Sequence, residues 1–190
     1  MKYPSAQTLY KPEDYLIAER KATIKSEYLS GQILTMSGAS LAHAFITGDI
    51  DTELNIQLRG KDCEVVTNDV RVKTSPKIAY FYPDVVVFCG EPQFEDNTFD
   101  TLLNPILIIE VLSPSTEKYD KGEKFEYYKQ IATLKEYILV SQDKVHVEHY
   151  KLNNTEWNLK TFSAFQDTLI LTSIGCKLSL KDIYTRIDFN

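Results

Sequence analysis

The chain has 190 residues, 43% of them hydrophobic and 25% charged, with a formal net charge of -6. That length and balance fit one globular domain able to bury a real core, and exclude a disordered chain. The negative charge argues against a broad, nonspecific nucleic-acid binder, and no apolar run approaches the ~20 residues that cross a bilayer. The N-terminal stretch MKYPSAQTLYKPEDYLIAERK lacks the apolar core and cleavage site of a secretory signal. Cys63, Cys89 and Cys176 are too few and too scattered for a disulfide framework or a cysteine-rich zinc site. The expectation is a reduced, cytoplasmic protein.

In chain order, residues Lys11 to Glu27 read as an amphipathic helix with Tyr15, Leu16, Ala18 and Ala22 inward. Ser30-Gly31 is a turn between two strand-like runs, 27–29 and 32–36, and predicts a hairpin. A longer helix follows from Ser40 to Arg59, with Leu41, Phe45, Leu54 and Leu58 at helical spacing and Gly60 as its stop. Short strands are expected at 63–66, 69–73 and 84–88, then a polar surface loop from Gly90 to Asn104. Ile106 to Leu112 is the most apolar strand, expected at the sheet centre and buried on both faces. Ser113-Pro114-Ser115-Thr116 breaks it, and a helix runs from Asp120 to Gln130 with Phe125, Tyr128 and Ile131 inward. A strand at 136–140, a hairpin of 144–151 with 157–162 around Asn153-Asn154, and an edge strand near 169–171 complete the order. This alternation predicts an α/β sandwich around a mixed sheet.

Glu110 is the anomaly, a carboxylate inside an apolar strand, where an unpaired charge costs several kcal/mol. Asp84 opens another apolar strand after Tyr82-Pro83. If the two strands are neighbours, both carboxylates converge. At about 4 Å two such charges repel by roughly 4 kcal/mol at an effective dielectric near 20. A divalent ion removes that cost, and hard oxygen ligands select magnesium or manganese. A nearby lysine would complete a metal-dependent phosphodiesterase site.

Tyr82-Pro83-Asp84-Val85-Val86-Val87, Leu102-Leu103-Asn104-Pro105, Glu110-Val111-Leu112-Ser113-Pro114-Ser115-Thr116, Asp120-Lys121-Gly122-Glu123-Lys124 and Leu134-Lys135-Glu136-Tyr137 together resemble the Uma family. Its members are restriction-endonuclease-like proteins of the PD-(D/E)XK superfamily. The similarity covers most of Glu27 to Tyr184 of a single domain, residues 1–26 forming an N-terminal helical extension. It implies a restriction-endonuclease-like mixed sheet flanked by helices, with Asp84 and Glu110 binding Mg2+ or Mn2+ and the Val111 carbonyl adding a ligand. The superfamily places lysine two positions after the second acid, where this chain has Leu112. Lys124 from the following helix is the expected substitute, Lys121 the second choice. Many relatives carry an acid at the position of Gln32, which raises the question of a weakened site. The implied partner is DNA, and a homodimer follows because cutting a duplex needs two sites.

Bland readings compete at each position. Lys124, beside Glu123 and Glu126, could be an ordinary solvated lysine. His43 reads first as a buried, hydrogen-bonded histidine, and second as a neighbour of the metal. Asp69 could cap a strand, or orient Lys124 or a metal-bound water. His146 and His149 lie on opposite faces of a strand and cannot chelate together. The leading expectation is a magnesium-dependent endonuclease acting on DNA phosphodiester bonds. The alternatives are a catalytically weak DNA-binding or regulatory module on the same fold, and a structural partner protein using its tyrosines.

Overall fold

The structure, a computed structural model, describes residues 9–36 and 38–189. Helix α1 (Pro12–Glu19) starts on a proline, which fits the first turn because its missing N–H would have no partner there. It ends eight residues short of the expected Glu27, and of its expected inner face only Tyr15 and Leu16 are buried. The reason is local competition. Glu19 accepts hydrogen bonds from the Ser26 backbone N–H (2.9 Å) and hydroxyl (2.6 Å), turning the chain back into a strand.

Strands β1 (Ser26–Leu29) and β2 (Gln32–Thr35) form the expected antiparallel hairpin. Both turn residues have positive φ, 47° at Ser30 and 102° at Gly31, the combination that suits the right-handed strand twist. A Cβ at Gly31 would also stand 2.9 Å from a Leu9 methyl carbon, so glycine is needed twice over.

Helix α2 (Leu41–Leu58) is capped by Ser40, whose hydroxyl accepts from the His43 N–H at 3.1 Å. Its core stripe is Ile46, Ile50, Leu54 and Leu58. Leu41, expected inside, is 69% exposed, and Phe45 is half-buried. The true stripe follows i, i+4 spacing through two isoleucines and leaves the first turn at the surface.

The remaining elements are β3 (Cys63–Thr67), β4 (Arg71–Thr74), β5 (Ala79–Phe81), β6 (Val85–Cys89), β7 (Thr101–Leu102) and β8 (Leu107–Leu112). After these come α3 (Glu117–Tyr119), one turn of π-helix (Asp120–Lys124), α4 (Phe125–Tyr128), β9 (Glu136–Ser141), β10 (Val147–Asn153), β11 (Glu156–Phe162), β12 (Thr168–Leu171), β13 (Cys176–Ser179) and α5 (Leu180–Ile183). A six-stranded mixed sheet runs β11-β10-β9-β8-β6-β3, with β8 and β9 parallel and the other neighbours antiparallel. Strand β8 is buried along its whole length near the sheet centre, as its composition requires. A second sheet, β2-β1-β5-β4-β7, draws on β5 and β7, neither of which was expected. Strand β7 lies in the segment 90–104 expected to be a free surface loop.

Side-chain alternation splits the core. Val85, Val87, Leu107, Ile109 and Val111 face α2, α5 and the β12–β13 hairpin. Val86, Phe88, Ile108 and Leu112 face α4 and the five-stranded sheet. Helix α1 packs Tyr15 and Leu16 on the outside of that smaller sheet, against Tyr28 and Tyr80. Among the described residues no helix is long and apolar enough to cross a membrane.

The cysteine expectation is corrected in one respect. Cys63 and Cys89 face one another across the β3–β6 pair and are joined as a disulfide, while Cys176 is free and buried. Spacing of 26 residues hid a cross-strand pair.

Candidate active site

The antiparallel register of β6 and β8 pairs Val85 with Ile109 and Val86 with Ile108. One step further it sets Asp84 opposite Glu110, on the face turned toward α4 and the small sheet. Asp84 Oδ2 accepts the Val111 N–H at 2.7 Å, which clamps the aspartate across the strand pair. Glu110 is 4% exposed and its Oε1 accepts the Tyr128 hydroxyl at 2.9 Å.

Lys124 reaches the same place from the π-turn. Its Nζ lies 2.9 Å from Glu110 Oε1, 2.9 Å from Glu27 Oε1 and 3.7 Å from Asp120 Oδ1. The extra residue of a π-turn explains how Asp120 and Lys124 point inward together while Phe125 and Tyr128, directly after, still pack the core. Lys124 is 4% exposed, so the solvated-lysine reading is excluded. Its ammonium also lies over the Phe81 and Tyr128 rings.

Two of these carboxylates were missed in the sequence. Glu27, on β1, is buried with its Oε1 taking both Lys124 and the Tyr82 N–H (3.3 Å). Its signal was alternation: Glu27 and Leu29 share the inner face of β1, and a charge there needs a partner. Asp120 was passed over as a helix start. Gln32, conversely, is exposed at the hairpin end, so its lack of an acid leaves the cluster untouched.

Glu27, Glu110 and Asp120 surround the one ammonium of Lys124 and Asp84 stands opposite Glu110, a formal excess of three negative charges with every acid ionised, in a largely buried group. The titration of the acids reflects it. Burial, reinforced by the charges of Asp120, Asp84 and Glu27, pushes Glu110 well above the usual carboxylate range in spite of Lys124. Burial likewise raises Asp120, against the pull of Lys124. Burial opposes the Lys124 charge, but Glu110 and Glu27 outweigh it and its pKa rises.

His43, from the first turn of α2, places Nε2 at 3.2 Å from Asp84 Oδ2 with its side chain 15% exposed. Burial disfavours its imidazolium, yet the Asp84 hydrogen bond and charge, Asp120 and the Val111 carbonyl together raise its pKa. The remaining candidates stand elsewhere. Lys121 pairs with Glu117 (2.8 Å) and Glu148 (2.7 Å). Asp69 is an exposed partner of Lys25 and orients neither Lys124 nor anything else in the cluster. His149 bonds Glu136 and His146 approaches Ser163, on separate sides as expected.

Among the described residues no group of three or more His, Cys, Asp or Glu side chains is arranged to hold a metal ion as it stands. The donor set nevertheless fits a hard divalent ion. Two carboxylates meet across a strand pair, the Val111 carbonyl accepts a hydrogen bond from the His43 ring that also meets Asp84, and such an ion would offset the surplus charge, with waters completing its shell. Above the acids opens a cleft of about 1020 Å³.

A mixed sheet carrying opposed acids on two adjacent strands, with a lysine brought over them, has the restriction-endonuclease-like α/β fold. A crystal structure described as "a putative nuclease belonging to DUF820", from Anabaena variabilis ATCC 29413, shares it with a TM-score of 0.74 and 18% identity, over 90% of this chain and 96% of that one. The chain belongs to the Uma2 family, described as "Putative restriction endonuclease", which matches residues 12–181. Two uncharacterized proteins of Synechocystis sp. (strain ATCC 27184 / PCC 6803 / Kazusa) are similar to it. One, sll1609, is 40% identical over 77% of this chain and 83% of its own length; the other, slr1290, is 37% identical over 94% and 93%.

Proposed function

We propose that this protein is a metal-dependent endonuclease that hydrolyses DNA phosphodiester bonds. The observation that carries the reading is Asp84 opposite Glu110 with the Lys124 ammonium 2.9 Å from Glu110. Asp84, Glu110 and the Val111 carbonyl would hold Mg2+ or Mn2+. When bound, such an ion supplies a more acidic water and charge neutralisation at a phosphoryl oxygen. Lys124 is the one ammonium in the group, and its place beside Glu110 suits it to hold the attacking water and offset charge building on the phosphate. Tyr128 fixes the Glu110 carboxylate, and the Val111 N–H fixes Asp84. Family membership supports a nuclease-like activity in general terms.

The test is nicking of DNA with and without Mg2+ by the wild type, Asp84→Asn and Glu110→Gln. Metal-dependent nicking lost in both variants is expected; robust activity in either one removes this site from consideration. A homodimer belongs to the reading only where both strands of a duplex are cut together, and light scattering measures it.

A second reading, a DNA-binding module with little chemistry, draws on Leu112 in the lysine position and on Lys124 being held by two glutamates. Calorimetric titration separates the two: DNA binding with no Mg2+ binding favours the module.

A further inference from the structure

The cleft over the acids changes character from floor to mouth. Its floor is anionic, with Glu27, Glu110 and Asp120 each less than a tenth exposed. Its exposed rim carries an apolar strip, Ile24 (64% exposed), Leu34 (37% exposed) and the half-buried Met36, set among uncharged polar residues such as Thr23, Thr35 and Ser40. Leu41, one residue past the cleft-lining Ser40, is exposed as well. Among the described residues Lys25 and Lys124 are the only lysine or arginine residues along the lining, and both are engaged, Lys25 by Asp69 and the Asn68 carbonyl, Lys124 by the floor acids.

Continuous duplex is a poor fit to such a wall. It presents phosphates outward on both strands, is held by rows of free lysine and arginine, and keeps its bases stacked inside. A strand whose bases are unpaired can do the reverse, turning one phosphate inward and laying its bases on apolar surface. We propose that the substrate strand enters this cleft unpaired, its scissile phosphate toward the anionic floor and its flanking bases against Ile24, Leu34 and Met36. The substrate class is then single-stranded DNA, including flaps and frayed ends. This rests on the phosphodiesterase reading above and deepens it; one copy of the chain suffices for each cut.

The experiment compares one labelled oligonucleotide as a single strand and as its blunt duplex. Affinity is read by fluorescence anisotropy in Ca2+ and cutting in Mg2+ or Mn2+. The single strand should bind about tenfold or more tightly than the duplex and be cut faster. Ile24→Glu and Leu34→Glu should each lower single-strand affinity by about tenfold while circular dichroism and melting temperature stay at the wild-type values. Equal or tighter duplex binding overturns the inference, as does unchanged affinity in both variants, or a solution dimer in which Ile24 and Leu34 are protected. Duplex cutting that Glu110→Gln abolishes would leave the endonuclease standing and remove only the unpaired-strand preference. A wild type that binds and cuts neither form removes both.

Discussion

Replacing Lys124 with methionine separates the lysine's structural role, holding the acid cluster together, from its proposed action on substrate. Methionine keeps much of the aliphatic stem over Phe81 and Tyr128 and deletes the charge. The ammonium it removes lies 2.9 Å from two buried glutamates, so the cluster goes from an excess of three negative charges to four. Taking one partner from a buried pair costs roughly 3–5 kcal/mol, because the remaining charges are stranded away from water. Glu110→Gln moves the excess the other way, to two, leaves Lys124 paired with Glu27, and keeps an oxygen for the Tyr128 hydroxyl. It should therefore cost far less, although both substitutions should stop cleavage. Urea unfolding followed by Trp157, the only tryptophan, which lies 5.2 Å from the Phe125 ring beside Lys124, reports the difference directly. Saturating Mg2+ should stabilise the wild type, by about 2.7 kcal/mol at a hundred times its dissociation constant. A Lys124→Met protein within about 1 kcal/mol of wild type would refute the picture of a lysine that pins the acids.

Leu112→Lys, which restores the superfamily spacing, should lose several kcal/mol of stability and gain no cleavage, since Leu112 is 4% exposed and Lys124 already serves that face; thermal melts and a plasmid assay check it. Asp84→Asn should abolish nicking yet melt close to wild type, because the amide oxygen can still accept the Val111 N–H. For pH, Glu110 and Asp120 bind protons more tightly in the folded chain than at their ordinary values of 4.5 and 3.8. Stability from such raised groups is complete below those values and falls as pH rises through the folded pKa. Between pH 4 and higher pH the urea midpoint of wild type should therefore fall relative to that of Glu110→Gln, so that the variant gains on wild type; a constant difference would contradict the raised Glu110.

The residues of the candidate site were more legible than the architecture that brings them together. Glu110 stood out because a charge in an apolar strand demands a partner, and Asp84 because it opens the next apolar run. Lys124 was ambiguous, since burial on a short helix depends on what the helix packs against, and Glu123 and Glu126 beside it do face solvent. Glu27 and Asp120 escaped notice for the same reason: their neighbours in space belong to other segments. The second sheet was illegible because β5 and β7 span only three and two residues and exist through pairing with β1 and β4. Helix α1 was overestimated because periodicity does not register the Glu19–Ser26 hydrogen bonds that end the segment. The disulfide shows the same blindness: partners on adjacent strands look unrelated along the chain.

Because the lysine rides on a short helix fourteen positions after Glu110, and not on the acid's own strand, its delivery depends on docking. Phe125, Tyr128 and Ile131 pack that helix against the sheet, and the Tyr128 hydroxyl ties it to Glu110. Were the helix to loosen while the sheet stayed intact, Asp84 and Glu110 would remain as a cation trap stripped of its ammonium. The protein would then be able to collect ions without turning over substrate, and metal retention would be a misleading proxy for catalytic competence.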